Sequence, residues 1–397
     1  MAESLIFING GGLAGSACAI RLRQLGHPVV LIDQSRFPRR KLCGEFLGPD
    51  AMPVLEKLGL LKAVMAHSGV PIESAHLYNV AGKALRIQLA WLRADYPFAL
   101  AMPRAILDTL LLRRAEEMGA IVQEEAEIEQ GHYQAEANQF ALTIQSTQSE
   151  PVGQSFIHAA ILIDASGRNS QLANLLTRNT ASESSQPKTA DSGLKKIIEP
   201  YVGVQCHVKL RVPSNDLNMY FFPGGYGGVQ PIGSELSNVC LWLTPELSRS
   251  SRQDLPSFLK ATLGQNLAAQ ALVEQAQFYE PFKTVGGIHA LHQKRPASES
   301  LMSVGDALLA VEPFSGFGMS HALQTGVLAA NCVHQGLQSG ETYPQIVRQY
   351  LHRYHRQFGW QLRYLRWVRP LLGQSFLQKA CWPLLPPFMP TLASLYR

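Results

Sequence analysis

The stretch Leu5-Ile6-Phe7-Ile8-Asn9-Gly10-Gly11-Gly12-Leu13-Ala14-Gly15-Ser16 decides the fold. Its apolar run, Leu5–Ile8, predicts a buried parallel strand. A helix is expected over Ser16–Leu25, with apolar residues at 17, 20, 22 and 25 and Gly26 closing it. Pro28–Ile32 reads as a second buried strand, ending at Asp33. The unit is strand, glycine turn, helix, strand. Gly10 suits a tight turn, Gly12 lets backbone approach a diphosphate, and Gly15 lets helix and strand pack closely. The helix N-terminus then faces phosphates, and Asp33, about twenty residues on, accepts from a ribose hydroxyl. A dinucleotide is the expected ligand.

Working outward, Arg36–Pro49 is a loop and Ala51–Leu58 a short helix. Ala75–Val80 and Lys83–Leu89 form a hairpin around Ala81-Gly82. A helix over Pro103–Met118 ends at Gly119. Strands are expected at Ile121–Ile128, Phe140–Gln145, Ala159–Ile163, Val202–Val212, Gly228–Leu243 and Leu301–Val304. Helices are expected as a pair over Asp254–Ala276, over Met319–Leu337, and from Pro344 to about Trp367. The small, polar residues 177–193 read as a flexible loop. The interleaving predicts an α/β fold with an α+β insert. Residues 1–70, 100–176 and 285–340 build a discontinuous Rossmann-like domain. Residues 71–99 and 194–284 build an antiparallel-sheet substrate domain, and 341–397 a basic helical tail.

The chain has 397 residues, 46% hydrophobic and only 16% charged, which excludes disorder as its main state. Its net charge of +5 is unevenly spread. After Glu341 there are eight Lys/Arg and no acid, which leaves 27 basic against 30 acidic residues before it. No recognised nucleic-acid module accompanies that charge, so nucleic acid is not an expected partner. The six cysteines form no Cys-x-x-Cys pair, and the histidine pairs His289/His292 and His352/His355 lack further ligands, so no metal is expected. No Gly-x-Ser-x-Gly elbow suggests a hydrolase. With neither a leader nor an apolar run of membrane-spanning length, a cytoplasmic protein is expected. The tail offers one route to a membrane surface or an acidic carrier protein, because Trp360, Tyr364, Trp367 and Leu371 share a helix face among arginines. The favoured expectation is that these aromatics pack on the substrate domain and the arginines face water.

Two further segments narrow the ligand. Ile161-Leu-Ile-Asp164-Ala-Ser-Gly167-Arg168 is a strand ending in a turn. Ser303-Val-Gly305-Asp306-Ala is followed by Glu312-Pro313-Phe-Ser-Gly316-Phe-Gly318-Met319, a strand, an acid and a glycine turn that opens a helix. Together with Gly10–Gly15, the Phe37-Pro-Arg-Arg-Lys41-Leu-Cys43-Gly44-Glu45 stretch and Arg104, they span about 310 residues. On these segments the chain resembles FAD-dependent oxidoreductases of the aromatic-hydroxylase fold, and within them the geranylgeranyl-reductase-like branch.

The resemblance implies FAD, bound by Gly10, Gly12, Leu13, Ala14, Gly15, Asp33 and Gln34 at one end. It puts Arg104 near the diphosphate or ribose, with Lys41, Asp164, Gly167, Gly305 and Asp306 also in the cofactor site. It puts Pro313, Gly316, Gly318 and Met319 by the flavin ring, where a helix N-terminus stabilises anionic reduced flavin. Cys43 would lie close to the flavin, with a pKa lowered by Arg39, Arg40 and Lys41. Phe222 and Tyr226 would line an apolar pocket, and Cys43 and Tyr226 are the candidate catalytic side chains. The implied activity is an NADPH- or NADH-dependent monooxygenase that hydroxylates a hydrophobic aromatic or polyketide-like small molecule. The alternative is a geranylgeranyl-reductase-type ene-reductase or dehydrogenase. The Tyr-x-Trp-x-Phe-Pro stretch of prenyl reductases and the Trp-x-Trp-x-Ile-Pro signature of flavin-dependent halogenases are both absent.

Overall fold

The computed structural model describes residues 4–67, 69–146, 153–168, 201–210, 215–249, 254–278, 282–288 and 301–373, with a few single positions that include Trp382. The expected loop at 177–193 and the pair His289/His292 lie outside the described residues.

Five parallel strands form the central sheet. Their order is Met302–Ser303, Ile161–Asp164, Ile6–Asn9, Val29–Asp33, Ile121–Glu124. All four pairings are parallel. Apolar runs such as Ile6-Phe7-Ile8 and Ile161-Leu162-Ile163 are buried, as expected of strands covered on both faces. The helices Leu13–Gln24 and Gly318–Gln338 pack on each other through a glycine. A Cβ on Gly326 would lie 2.2 Å from the Ala14 carbonyl oxygen, so only glycine permits this approach. The tail helix, Tyr343–Gly373, pins the outermost strand. Its Tyr343 hydroxyl accepts from the Met302 N–H (2.8 Å), and its Tyr350 hydroxyl donates to the Ser303 carbonyl (3.0 Å).

An eight-stranded sheet stands beside this core. Its order is Gln277–Phe278, Tyr201–Lys209, Leu236–Leu243, Gly225–Pro231, Leu217–Phe222, Ser74–Tyr78, Ala84–Gln88, and Lys283–Ile288 also pairs with Tyr201–Lys209. Leu217–Phe222 runs parallel to Ser74–Tyr78; the other pairings are antiparallel. Side chains alternate between faces along each strand. Tyr220 and Phe222 therefore pack with the helices Leu255–Leu263 and Gln270–Gln275, whereas Met219 and Phe221 face the opposite way.

The structure corrects several expected elements. The strand at Ile121–Ile128 is broken at Glu125, whose φ of +55° turns the chain into a separate antiparallel sheet. Gly228–Leu243 is two strands of a hairpin, Gly225–Pro231 and Leu236–Leu243. Gly153–Ala159 and Leu217–Phe222 are strands that polar residues or mixed patterning concealed. The first helix starts at Leu13, because Gly12 already caps it.

Candidate active site

Three glycine turns distant in sequence meet because their strands are neighbours. Gly10–Gly15, Ala165–Gly167 and Gly305–Asp306 all follow the carboxyl ends of parallel strands, at the same end of the sheet. Gly10 has φ +116°, and a Cβ there would lie 2.4 Å from the Ala165 carbonyl oxygen. A Cβ on Gly15 would lie 1.9 Å from the Gly10 oxygen. At Gly12 the nearest atom to such a Cβ is Arg39 Nη2 at 3.5 Å, and Gly12 lines a cavity of about 930 Å³.

Two helix N-termini open onto that cavity. In the helix Leu13–Gln24 the Ser16 N–H makes a helical bond to the Gly12 oxygen (2.9 Å), so the N–H groups of residues 13–15 lie in the first turn, ahead of it. Gly12, Leu13 and Ala14 line the cavity. At the other helix the His321 N–H bonds to the Phe317 oxygen (2.8 Å), and Gly318 and Met319 line the cavity. Neither helix has a side-chain cap or an acid in its first turn. Both positive dipole ends are thus left to a ligand with anionic character at two places. A cofactor carrying a diphosphate and a flavin ring fits this arrangement.

Asp33 sits behind the Gly10–Gly15 turn. Its Oδ2 accepts from the Gly11 N–H (2.8 Å) and from Arg39 Nη2 (3.0 Å), and its Oδ1 from the Ser35 N–H (2.9 Å). The Arg39 guanidinium stacks on Phe37 at 4.7 Å. Arg39 was not singled out for the cofactor by the sequence, although it stands between Asp33 and Gly12.

The segment 43–45 forms a second wall. Glu45 has φ +56° and is buried. Its Oε1 accepts from the Arg104 N–H (3.1 Å), and His207 Nε2 lies 2.8 Å from its Oε2. Three amides of the large sheet grip the preceding backbone. Asn238 donates to the Gly44 oxygen (2.8 Å), Gln230 to the same atom (2.9 Å), and the Cys43 N–H donates to Gln205 (3.2 Å). Glu45 and His207 were missed: the signal was an acid directly after the Cys43-Gly44 pair.

The expected low pKa of Cys43 is corrected. Burial pushes the thiol up, and Arg104 beside it only partly opposes this. Arg39 is drawn away to Asp33. Burial works against the Arg104 charge too, but Asp108 and Cys43 raise its pKa beyond that. Arg104 holds Asp108 with two bonds of 2.7 and 2.8 Å. Burial and the Arg104 charge pull Lys41 down, against Asp306 and Asp108.

Of the residues named from sequence, Gly12, Leu13, Ala14, Lys41, Cys43, Arg104, Gly167, Gly305, Asp306, Pro313, Gly316, Gly318, Met319 and Tyr226 line one cavity. Gly10, Gly15, Asp33, Gln34 and Asp164 do not. The Asp164 carboxylate shapes its own turn, accepting from Ser166 N–H (3.1 Å), Ser166 hydroxyl (2.6 Å) and Ser170 hydroxyl. Gln34 is exposed. Phe222 faces away from the cavity, and Phe221 takes its place behind Tyr226.

Beyond the glycine turns the cavity becomes apolar. Leu77, Leu85, Ile87, Leu89 and Met219 form an aliphatic part, and Tyr226, Trp242, Phe314 and Trp382 an aromatic part. The Tyr226 hydroxyl donates to Glu312 Oε1 (3.1 Å) between them and the Pro313–Gly318 turn. Trp382 is 5% exposed, and its indole N–H has no acceptor among the described residues.

A family model described as an FAD binding domain matches residues 3–362. Among curated proteins, the chain is 25% identical to the menaquinone reductase of Mycolicibacterium smegmatis over 338 residues, 83% of this chain and 76% of that one. It is 26% identical to the tryptophan 2-halogenase of Chondromyces crocatus over 376 residues, 94% of this chain and 67% of that one. Among solved structures, a flavoprotein/dehydrogenase from Cytophaga hutchinsonii superposes with a TM-score of 0.80 at 17% identity, covering 99% of this chain and 93% of that one.

Proposed function

The chain belongs to the FAD binding domain family, and from that premise we propose that it is an FAD-dependent monooxygenase acting on a hydrophobic aromatic small molecule. One observation carries this reading: the two helix N-termini and the apolar chamber belong to a single continuous cavity of about 930 Å³, at the upper end of the range for small-molecule sites. Bound there, FAD supplies two-electron redox chemistry at its ring. The first-turn N–H groups at Leu13 and Ala14 would hold the diphosphate, with Asp33 and Arg39 behind it. Lys41, Arg104 and Asp306 supply charge along the middle. Gly316–Met319 and the segment 43–45 would flank the ring. The aromatic part would hold a ring-bearing substrate head, and the aliphatic part an alkyl substituent. These walls also exclude water. NADH or NADPH would deliver the electrons.

A specific feature supports a second reading. The Tyr226–Glu312 pair is a hydroxyl–carboxyl couple at the border of the apolar part, suited to donate the proton that saturation of a carbon–carbon double bond needs. The relatives named as reductases agree with it.

Product mass decides. The purified protein, loaded with FAD and given NAD(P)H and candidate alkyl phenols under ¹⁸O₂, should yield a product carrying one labelled oxygen. A gain of two hydrogens without oxygen uptake would replace this reading with the reductase. No substrate-dependent NAD(P)H oxidation with either class would refute both.

A further inference from the structure

The tail helix presents two opposed stripes. At 100° per residue, Tyr350, Tyr354, Phe358, Gln361 and Leu365 fall within about 80° of one another, and all are buried. His352, Arg356, Trp360, Arg363 and Arg366 fall within about 120° on the other side, and all are exposed. Trp360 departs from the expectation that the tail aromatics pack together, while the side chains of Trp367 and Leu371 lie outside the described residues. Trp360 is 49% exposed, whereas Tyr364, one turn on, lines the cavity with Leu365. The exposed cationic stripe therefore lies one residue away, along the chain, from the wall of an apolar chamber.

We propose that this stripe docks the protein on an anionic lipid surface, so that a membrane-dissolved substrate reaches the cavity past Tyr364. Charge complementarity supports a polyanionic partner, because no acid follows Glu341 to offset the arginines. Trp360 favours a bilayer over an acidic protein. An indole that is half exposed among arginines matches the headgroup region, where an apolar ring and a polar N–H are both accommodated. The cavity's apolar lining gives the docking a purpose, since its substrate partitions into lipid. That purpose rests on the function proposed above, but the docking itself does not.

The test is co-sedimentation of the FAD-loaded protein with vesicles. One set is pure phosphatidylcholine; the other contains about a third phosphatidylglycerol. The protein should pellet with the anionic vesicles only, and raising salt from about 0.1 to 0.5 M should release it. Each arginine near such a surface contributes about fivefold to partitioning, so Arg356→Ala/Arg363→Ala/Arg366→Ala should weaken it by roughly a hundredfold. Trp360→Ser should weaken it further at constant charge. These side chains are exposed, so FAD content and melting temperature should match the parent, which separates lost docking from lost folding. Equal pelleting with neutral vesicles, none with anionic ones, or an unaffected triple variant would overturn the proposal. So would retention on an immobilised acidic acyl-carrier protein without vesicle binding. A protein that binds anionic vesicles but turns over no hydrophobic substrate upholds the docking and refutes the function.

Discussion

Glu45 and His207 meet between two sheets. His207 projects from the strand Tyr201–Lys209, and its Nε2 lies 2.8 Å from Glu45 Oε2 in a buried contact. Glu45 adopts φ +56° to make it. A left-handed non-glycine residue costs about 1–3 kcal/mol, so the contacts around it must hold it there. The pair thus ties the eight-stranded sheet to the segment 43–45, which lines the cavity.

Glu45→Ala should destabilise the protein by roughly 3 kcal/mol in urea unfolding, since it leaves His207 buried without its carboxylate. Glu45→Gly removes the same carboxylate but suits the positive φ. It should cost about 1 kcal/mol less. Equal losses would show that the backbone geometry stores no strain, and losses under about 0.5 kcal/mol that the pair is not structural.

The glycines of the fingerprint should differ sharply in fold stability from Gly318 at the ring end of the cavity. Gly15→Ala sets a Cβ 1.9 Å from the Gly10 oxygen, backbone that cannot yield, and should abolish FAD retention with a loss of about 3 kcal/mol or more. A Cβ at Gly318 meets nothing within 4 Å among the described residues, so the melting temperature of the Gly318→Ala apoprotein should not move. FAD titration by flavin fluorescence checks the first, and thermal unfolding of the apoprotein checks the second.

The dinucleotide turn was legible because its signal is local: an apolar run, three glycines and an acid fix one short unit. The convergence of Gly167 and Gly305 on it was legible only through resemblance, since strand order in the sheet is a long-range property. Glu125 shows a different limit. Its strand pattern runs on unbroken, and only the φ of +55° reassigns the residues after it. Gly326 gave no local sign, because what it admits is the first helix more than three hundred residues earlier. Phe221 and Phe222 differ by one position, and period-2 alternation fixes which faces the site only once the strand's covered face is known.

Cys43 should be a slow nucleophile. Its thiol is pushed up by burial, so little thiolate forms at neutral pH. In the FAD-free protein, iodoacetamide labelling of Cys43, followed by peptide mass, should climb only above about pH 9, the unperturbed value. Full labelling within minutes at pH 7 would instead indicate a thiolate stabilised by Arg104.

Tyr226→Phe removes the hydroxyl that donates to Glu312 while keeping the ring against Phe221 and Phe314. A hydroxylation that needs no proton from this side chain should slow less than about fivefold. A reduction that uses it as general acid should slow by about a hundredfold or more. Measuring kcat on both substrate classes in one preparation separates the readings without relying on oxygen uptake.

His321 makes the fold acid-sensitive. It is fully buried, its Nε2 is 3.1 Å from the Tyr354 hydroxyl, and the Phe317 and Phe358 rings pack on it. Burial lowers its pKa from 6.5 to about 4, and the Asp306 charge only partly opposes this. The unfolded chain therefore binds a proton between pH 6.5 and 4 that the folded chain refuses. Stability from this residue is complete above pH 6.5 and is lost as pH falls toward 4, by about 3 kcal/mol in total. Urea unfolding at pH 7.5 and pH 5 should show that slope in the parent. His321→Gln, which cannot titrate, should lower stability at pH 7.5 yet flatten the slope by about 2 kcal/mol over the same interval. Parallel slopes in the two proteins would mean that His321 binds its proton equally in the folded and the unfolded chain.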